Sequence, residues 1–139
     1  MTLQAQDVEQ LIRAGVPMAE DIDFTVEAVG ERWARVRIPF QGKLVRPGGT
    51  LSGPVQMTLA DAAMYAAILA TLGRVEMAVT SNLNINFLKK PAPADLLAEA
   101  VVLRLGRRLA FCEVRLHSAG DEELVAHVTG TYALPGGAR

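Results

Sequence analysis

Residues 52–72 read SGPVQMTLADAAMYAAILATL, a run in which apolar side chains fall on nearly every face of a helix and one carboxylate, Asp61, interrupts them. A helix that is apolar all round must be enclosed, by protein or by lipid. Gln56, Thr58 and above all Asp61 argue against lipid, because an Asp near the middle of a span costs about 2.5–3.5 kcal/mol on insertion scales. The segment is therefore expected to be a buried helix. It opens at Pro54, whose missing N–H and fixed φ suit a first helical position, with Gly53 as the N-cap. Gly73 supplies its stop.

Beyond that helix the period changes from 3.6 to 2. Val79, Ser81, Leu83, Ile85 and Phe87 alternate with Thr80, Asn82, Asn84 and Asn86, which predicts a long strand. Further strands are expected over 95–105, 109–116 and 123–134, separated by turns at 106–108 and 119–121. On the N-terminal side, Val8, Leu11 and Ile12 suit a short amphipathic helix over 5–14 that acts as a lid or a brace. Residues 23–29 and 32–38 form a hairpin about Gly30, and 41–53 (QGKLVRPGGTLSG) is read as a loop. Gly48-Gly49 has no nucleotide-loop context and is read as a turn. Helix, hairpin, long helix and then a run of antiparallel strands make an α+β chain, with a sheet wrapped around the central helix. Neither repeats nor a linker interrupt residues 1–139, so one domain is expected.

The charge balance, 14 basic against 15 acidic residues, gives no broad attraction to nucleic acid. Cys112 is the only cysteine and belongs to no Cys/His cluster, so neither an internal disulfide nor a metal site is expected. The start, MTLQAQDVEQ, lacks the basic and apolar stretches of a secretion signal; a cytoplasmic protein with no membrane partner is the expectation.

The segment SGPVQMTLADAAMYAA resembles the motif of hotdog-fold thioesterases, H-G-G followed by a short apolar stretch and A-D at the start of the central helix. AVTSNLNINFLKKPAPADLLAEA, GRRLAFCEVRL and VAHVTGTY are similar to that family's later strands in order and separation. The likeness covers about two thirds of the chain and is to the small acyl-CoA thioesterases of the phenylacetate-degradation (PaaI-like) type. It implies a hotdog fold that hydrolyses an acyl-CoA or related thioester between the subunits of a homodimer or homotetramer. Coenzyme A would enter only as part of the substrate, with no separate cofactor. Asp61 would be the general base or nucleophile, and a hydroxyl at Thr80 would assist the attacking water. Lys89, Lys90, Arg107 and Arg108 would face the phosphates of coenzyme A. Three positions depart from the pattern: Ser52 replaces the motif histidine, Pro54 replaces its second glycine, and Arg46 stands where relatives carry an asparagine.

The residues support these roles to different degrees. An unpaired Asp61 in an apolar helix costs several kcal/mol of desolvation, so it must either find donors, such as a buried backbone or Tyr group, or open onto a cleft. The Gly53 N–H at a helix start can stabilise negative charge on a carbonyl oxygen, and Pro54 has no N–H to offer. Ser52 can cap the helix or bind the substrate carbonyl. Strand alternation puts Thr80 and Asn82 on one face, where they would meet substrate, solvent or another copy in an oligomer. Arg46 can pair with a substrate carboxylate or with Asp61. His117 and His127 fall in late strands, away from the central helix, which disfavours a histidine-dependent hydrolase or hydratase. The rival to a thioesterase is a catalytically silent hotdog protein that binds an acyl-CoA or another acyl ligand.

Overall fold

A computed structural model describes residues 3–136. Two N-terminal helices, α1 (Ala5–Gly15) and α2 (Pro17–Asp21), precede the hairpin of β1 (Thr25–Gly30) and β2 (Trp33–Ile38). A 3-10 turn at Gly42–Leu44 and a two-residue ribbon, β3 (Val45–Arg46) and β4 (Thr50–Leu51), lead into α3 (Gly53–Leu72). Strands β5 (Val79–Phe87), β6 (Leu96–Leu105), β7 (Leu109–Ser118) and β8 (Leu124–Ala133) complete the chain.

The main sheet is antiparallel throughout, in the order β1-β2-β6-β7-β8-β5, and α3 lies across it. This is the hotdog layout. Leu59, Ala63, Met64, Ile68 and Leu69 face the sheet and are fully buried against partners such as Val36, Ile38 and Leu116. By length and composition α3 could cross a membrane, but here that apolar face is spent on the sheet. The helix packs closely on β8 at Gly130. A Cβ built there would sit 2.7 Å from Met64 Sδ and 2.9 Å from the Asn82 carbonyl oxygen. Gly130→Ala should therefore lower stability by about 1–3 kcal/mol through overpacking, read as a lower denaturant midpoint at unchanged m-value.

The expected elements appear, with three differences. First, α2 and the β3–β4 ribbon were not foreseen, because five- and two-residue elements carry no measurable period. Second, α3 begins one residue earlier than expected: Ser52, not Gly53, is the N-cap, and its Oγ accepts the Val55 N–H at 3.3 Å. Gly53 is the first helical residue and Pro54 the second. Third, a β-bulge at Ser81 shifts the β5–β8 register between Thr80↔Tyr132 and Asn82↔Thr131. Tyr132 and Thr131 point to opposite sides of β8, so Thr80 and Asn82 lie on opposite faces of β5, not on the same one.

The N-terminal helices act as a brace. Arg13 at the end of α1 donates to the Phe24 carbonyl from Nε at 3.0 Å and from a terminal nitrogen at 2.6 Å. It also pairs with Glu20 and Asp23, each at 2.9 Å, which ties α1, α2 and the entry to β1 together. The hydrogen bond to Asp23 is the main cause that raises the pKa of this guanidinium above its ordinary value.

Candidate active site

Asp61 lies midway along α3, on the side turned toward β5 and the end of β8. Its Oδ1 accepts two hydrogen bonds, from Thr80 Oγ1 at 2.7 Å and from Tyr132 Oη at 2.7 Å; Tyr132 Oη also lies 3.1 Å from the Asp61 carbonyl oxygen. The β5–β8 register makes this possible by setting Thr80 directly beside Tyr132. The bulge that follows turns Thr80 toward the helix. Two hydroxyls on one oxygen fix the carboxylate and leave Oδ2 without a donor among the described residues. Tyr132 is itself held by stacking on Tyr65, with ring centroids 6.0 Å apart and planes at 11°. Burial, and next to it the negative charge of Asp61, push the Tyr132 phenol well above the ordinary tyrosine range, so it stays a donor at any working pH.

Asp61 lines a cavity of about 970 Å³, large for a ligand pocket and bounded mainly by apolar side chains. Pro54, Met57, Thr58, Asp61, Ala62 and Tyr65 of α3 form its floor. The α1–α2 brace bounds one side, and β5 with Tyr132 bounds the other.

Several predicted residues fall elsewhere. Gly53 and Ser52 stand at the start of α3, eight and nine residues from Asp61, about 12 Å or more along the axis. The Gly53 N–H has no acceptor among the described residues, and the Phe87 ring covers its Cα, with a built Cβ 3.2 Å from Cζ. Ser52 is occupied as the helix cap. Arg46 does not pair with Asp61; its guanidinium reaches only the Pro47 carbonyl, at 3.0 Å, and is otherwise exposed. Asn82 points to the other face of β5 from Thr80 and is not part of the cavity wall. Lys89 is held by Asp121 at 3.0 Å and Glu123 at 2.6 Å, which raises its pKa and neutralises it toward a phosphate. Lys90, Arg107 and Arg108 are exposed. The register puts Arg107 and Arg108 at the Thr80 end of β5 and Lys90 at the Phe87 end, roughly 25–30 Å apart along a nine-residue strand. The two groups therefore cannot grip one phosphate from the same chain.

His127 pairs with Glu113 at 2.8 Å on the sheet's outer face, and His117 contacts the Ser118 and Asp121 carbonyls; neither approaches Asp61. Cys112 is buried, with its thiol pushed up to about 12 by desolvation. Among the described residues no cluster of His, Cys, Asp or Glu could hold a metal.

A carboxylate clamped by hydroxyls on the central helix of such a sheet can be compared with known proteins. The thioesterase superfamily model matches residues 48–125, a span that contains α3, Asp61 and Thr80. The chain belongs to the thioesterase superfamily. Its relatives include a candidate esterase of Saccharolobus solfataricus, 32% identical over 113 residues that cover 81% of this chain and 74% of that one. Among solved structures, a candidate thioesterase from Silicibacter sp. TM1040 superposes with a TM-score of 0.86 at 37% identity, covering 96% of this chain and 92% of its own. A variant of the phenylacetic acid degradation protein PaaI from Thermus thermophilus gives a TM-score of 0.72 at 26% identity, over 84% and 97% of the two chains. The PaaI-like resemblance is thereby upheld, and the chemistry is of the ester or thioester hydrolase class.

Tyr132 lies outside the matched span and was not foreseen from the sequence. Its signal was available only in part, as a lone aromatic on the inward side of the last strand, in VAHVTGTYAL. If it positions Asp61, Tyr132→Phe, which keeps the ring stack, should lower kcat about tenfold while KM stays within about twofold. Steady-state kinetics of the folded variant check this.

Proposed function

We propose that this protein hydrolyses an acyl-CoA, or a closely related thioester, to free acid and thiol. The observation that carries the reading is the Asp61 carboxylate, locked through one oxygen by Thr80 and Tyr132 in the wall of a large apolar cavity. In this role Asp61 takes a proton from water as it attacks the thioester carbonyl, or attacks that carbon itself to give an anhydride that water then cleaves; by either route the C–S bond breaks and the departing thiolate takes up a proton to become the free thiol. Either route builds negative charge on the carbonyl oxygen, and a free helix N-terminal N–H is suited to bind it.

Geometry separates these two parts within one chain. A base acting through one water needs the carbonyl within roughly 6 Å, twice a hydrogen-bond length. Gly53 stands about 12 Å from Asp61 along the same helix. A two-fold dimer removes the difficulty. β5 is one of the two edge strands of the sheet, and Val79 and Phe87 on it, with Leu88 just beyond, are more than half exposed. Thr80 touches Asp61 and Phe87 covers Gly53, so β5 runs antiparallel to α3. Antiparallel pairing of two β5 edges would bring the Thr80 end of one chain beside the Phe87 end of its neighbour. Asp61 of one protomer then faces the partner's Gly53. Arg107 and Arg108 would likewise approach Lys90 from the other chain, giving a composite cationic site for the coenzyme phosphates.

The test is release of free thiol from a panel of acyl-CoAs by the intact oligomer. Turnover that depends on Asp61 supports the reading. Tight acyl-CoA binding with no thiol release across the panel would overturn it in favour of a silent acyl-binding protein.

A further inference from the structure

The cavity wall is uneven in a way that bears on the acyl group. Its α1–α2 side, which includes Leu11, Ile12, Val16, Met18, Ala19 and Ile22, contributes no ionisable or polar side chain. The ionisable groups of the whole lining, Tyr65 and Tyr132 apart, are Asp61 and Glu76, both carboxylates. From Asp61 to Pro54 the floor runs seven residues, about 10 Å of helix. That is the reach of roughly eight or nine chain bonds, taking an extended backbone at three bonds per 3.3–3.6 Å. The wall is also fixed, because Arg13 ties α1 and α2 to the Phe24 carbonyl and to Glu20 and Asp23.

We infer that the site selects neutral, apolar acyl groups of about eight carbons or longer, lodged between the α1–α2 brace and the N-terminal half of α3. The inference rests on the thioesterase reading above and narrows its substrate class. Each methylene that leaves water for this wall strengthens binding roughly fourfold. A carboxylate at the far end of the chain would lose its hydration against the apolar α1–α2 side, where the lining offers it no cation, so ω-carboxylated acyl groups are rejected. The thiol portion leaves by the β5 side, toward the basic strand ends.

Thiol release by the intact oligomer from butyryl-, hexanoyl-, octanoyl- and decanoyl-CoA, with adipyl-CoA as the ω-carboxylated match for hexanoyl-CoA, decides the matter. From butyryl to octanoyl, kcat/KM should rise at least about tenfold. Adipyl-CoA should fall at least about thirtyfold below hexanoyl-CoA. Val16→Trp, which fills the α1–α2 side, should lower the octanoyl-to-butyryl ratio about tenfold. If that variant does not fold, Met18→Trp, at a position whose side chain is half exposed, carries the same expectation. A flat or falling chain-length profile, adipyl-CoA equal to hexanoyl-CoA, or an unchanged ratio in the wall variant overturns the inference while the thioesterase reading stands. No turnover of any ester removes both.

Discussion

Asp61→Asn should fold, keep its oligomeric state and lose at least about a hundredfold in kcat on every thioester the wild type accepts, the size of contribution that a positioned acid or base makes. The substitution is nearly isosteric. Asn Oδ1 can still accept from Thr80 and Tyr132, so the clamp at 2.7 Å survives and the stack of Tyr132 on Tyr65 is undisturbed. What disappears is the second oxygen, the one Thr80 and Tyr132 leave unbonded, as an acceptor for the proton of water or as a nucleophile. Thermal unfolding and sedimentation should therefore match wild type while thiol release does not. A folded Asp61→Asn oligomer with more than about a tenth of wild-type kcat would remove Asp61 from the chemistry.

Gly53→Pro should lose a comparable factor, about 10²–10³, by a different route, because it deletes one backbone donor and little else. Proline is tolerated at the first helical position. Ser52, at φ −72° and ψ 159°, already has the extended backbone that a following proline demands. The ring must displace Phe87, whose side chain is about half exposed and free to move. The two variants together test the composite site. When Asp61→Asn and Gly53→Pro chains are mixed and allowed to exchange, half of the dimers are mixed, and one of the two sites in each is intact. Activity should return to about one quarter of wild type from two inactive parents. No recovery after exchange confirmed by mass would show that each chain carries a complete site of its own.

Much of the fold could be read from the sequence because its longest elements have clean periods. The all-apolar run of α3 and the alternation in β5 to β8 each extend over nine residues or more, far beyond chance. The site was less legible, for reasons tied to particular residues. The sequence offered both Gly53 and Ser52 as caps of the central helix, and the Ser52 hydroxyl on the Val55 N–H decides for Ser52. Alternation placed Thr80 and Asn82 together, and one extra residue in β5 parted them; a bulge leaves no mark in polarity because it breaks the rule that polarity reading assumes. Tyr132 meets Asp61 across 71 positions of sequence, a contact no local pattern reports. Asp61 itself was conspicuous because it is a charge where none belongs.

The position of β8 also governs when the site comes into being. β5 has no sheet neighbour except β8, and β6 and β7 stand between the two in sequence. Thr80 thus cannot settle against the helix until the residues around Tyr132 have been synthesised and have docked on β7. On a ribosome, Asp61 emerges long before either of its clamping hydroxyls is in place. Asp61 is consequently clamped only once β8 has docked, and a chain cut short before that strand would retain the helix and its carboxylate but have nothing to aim them.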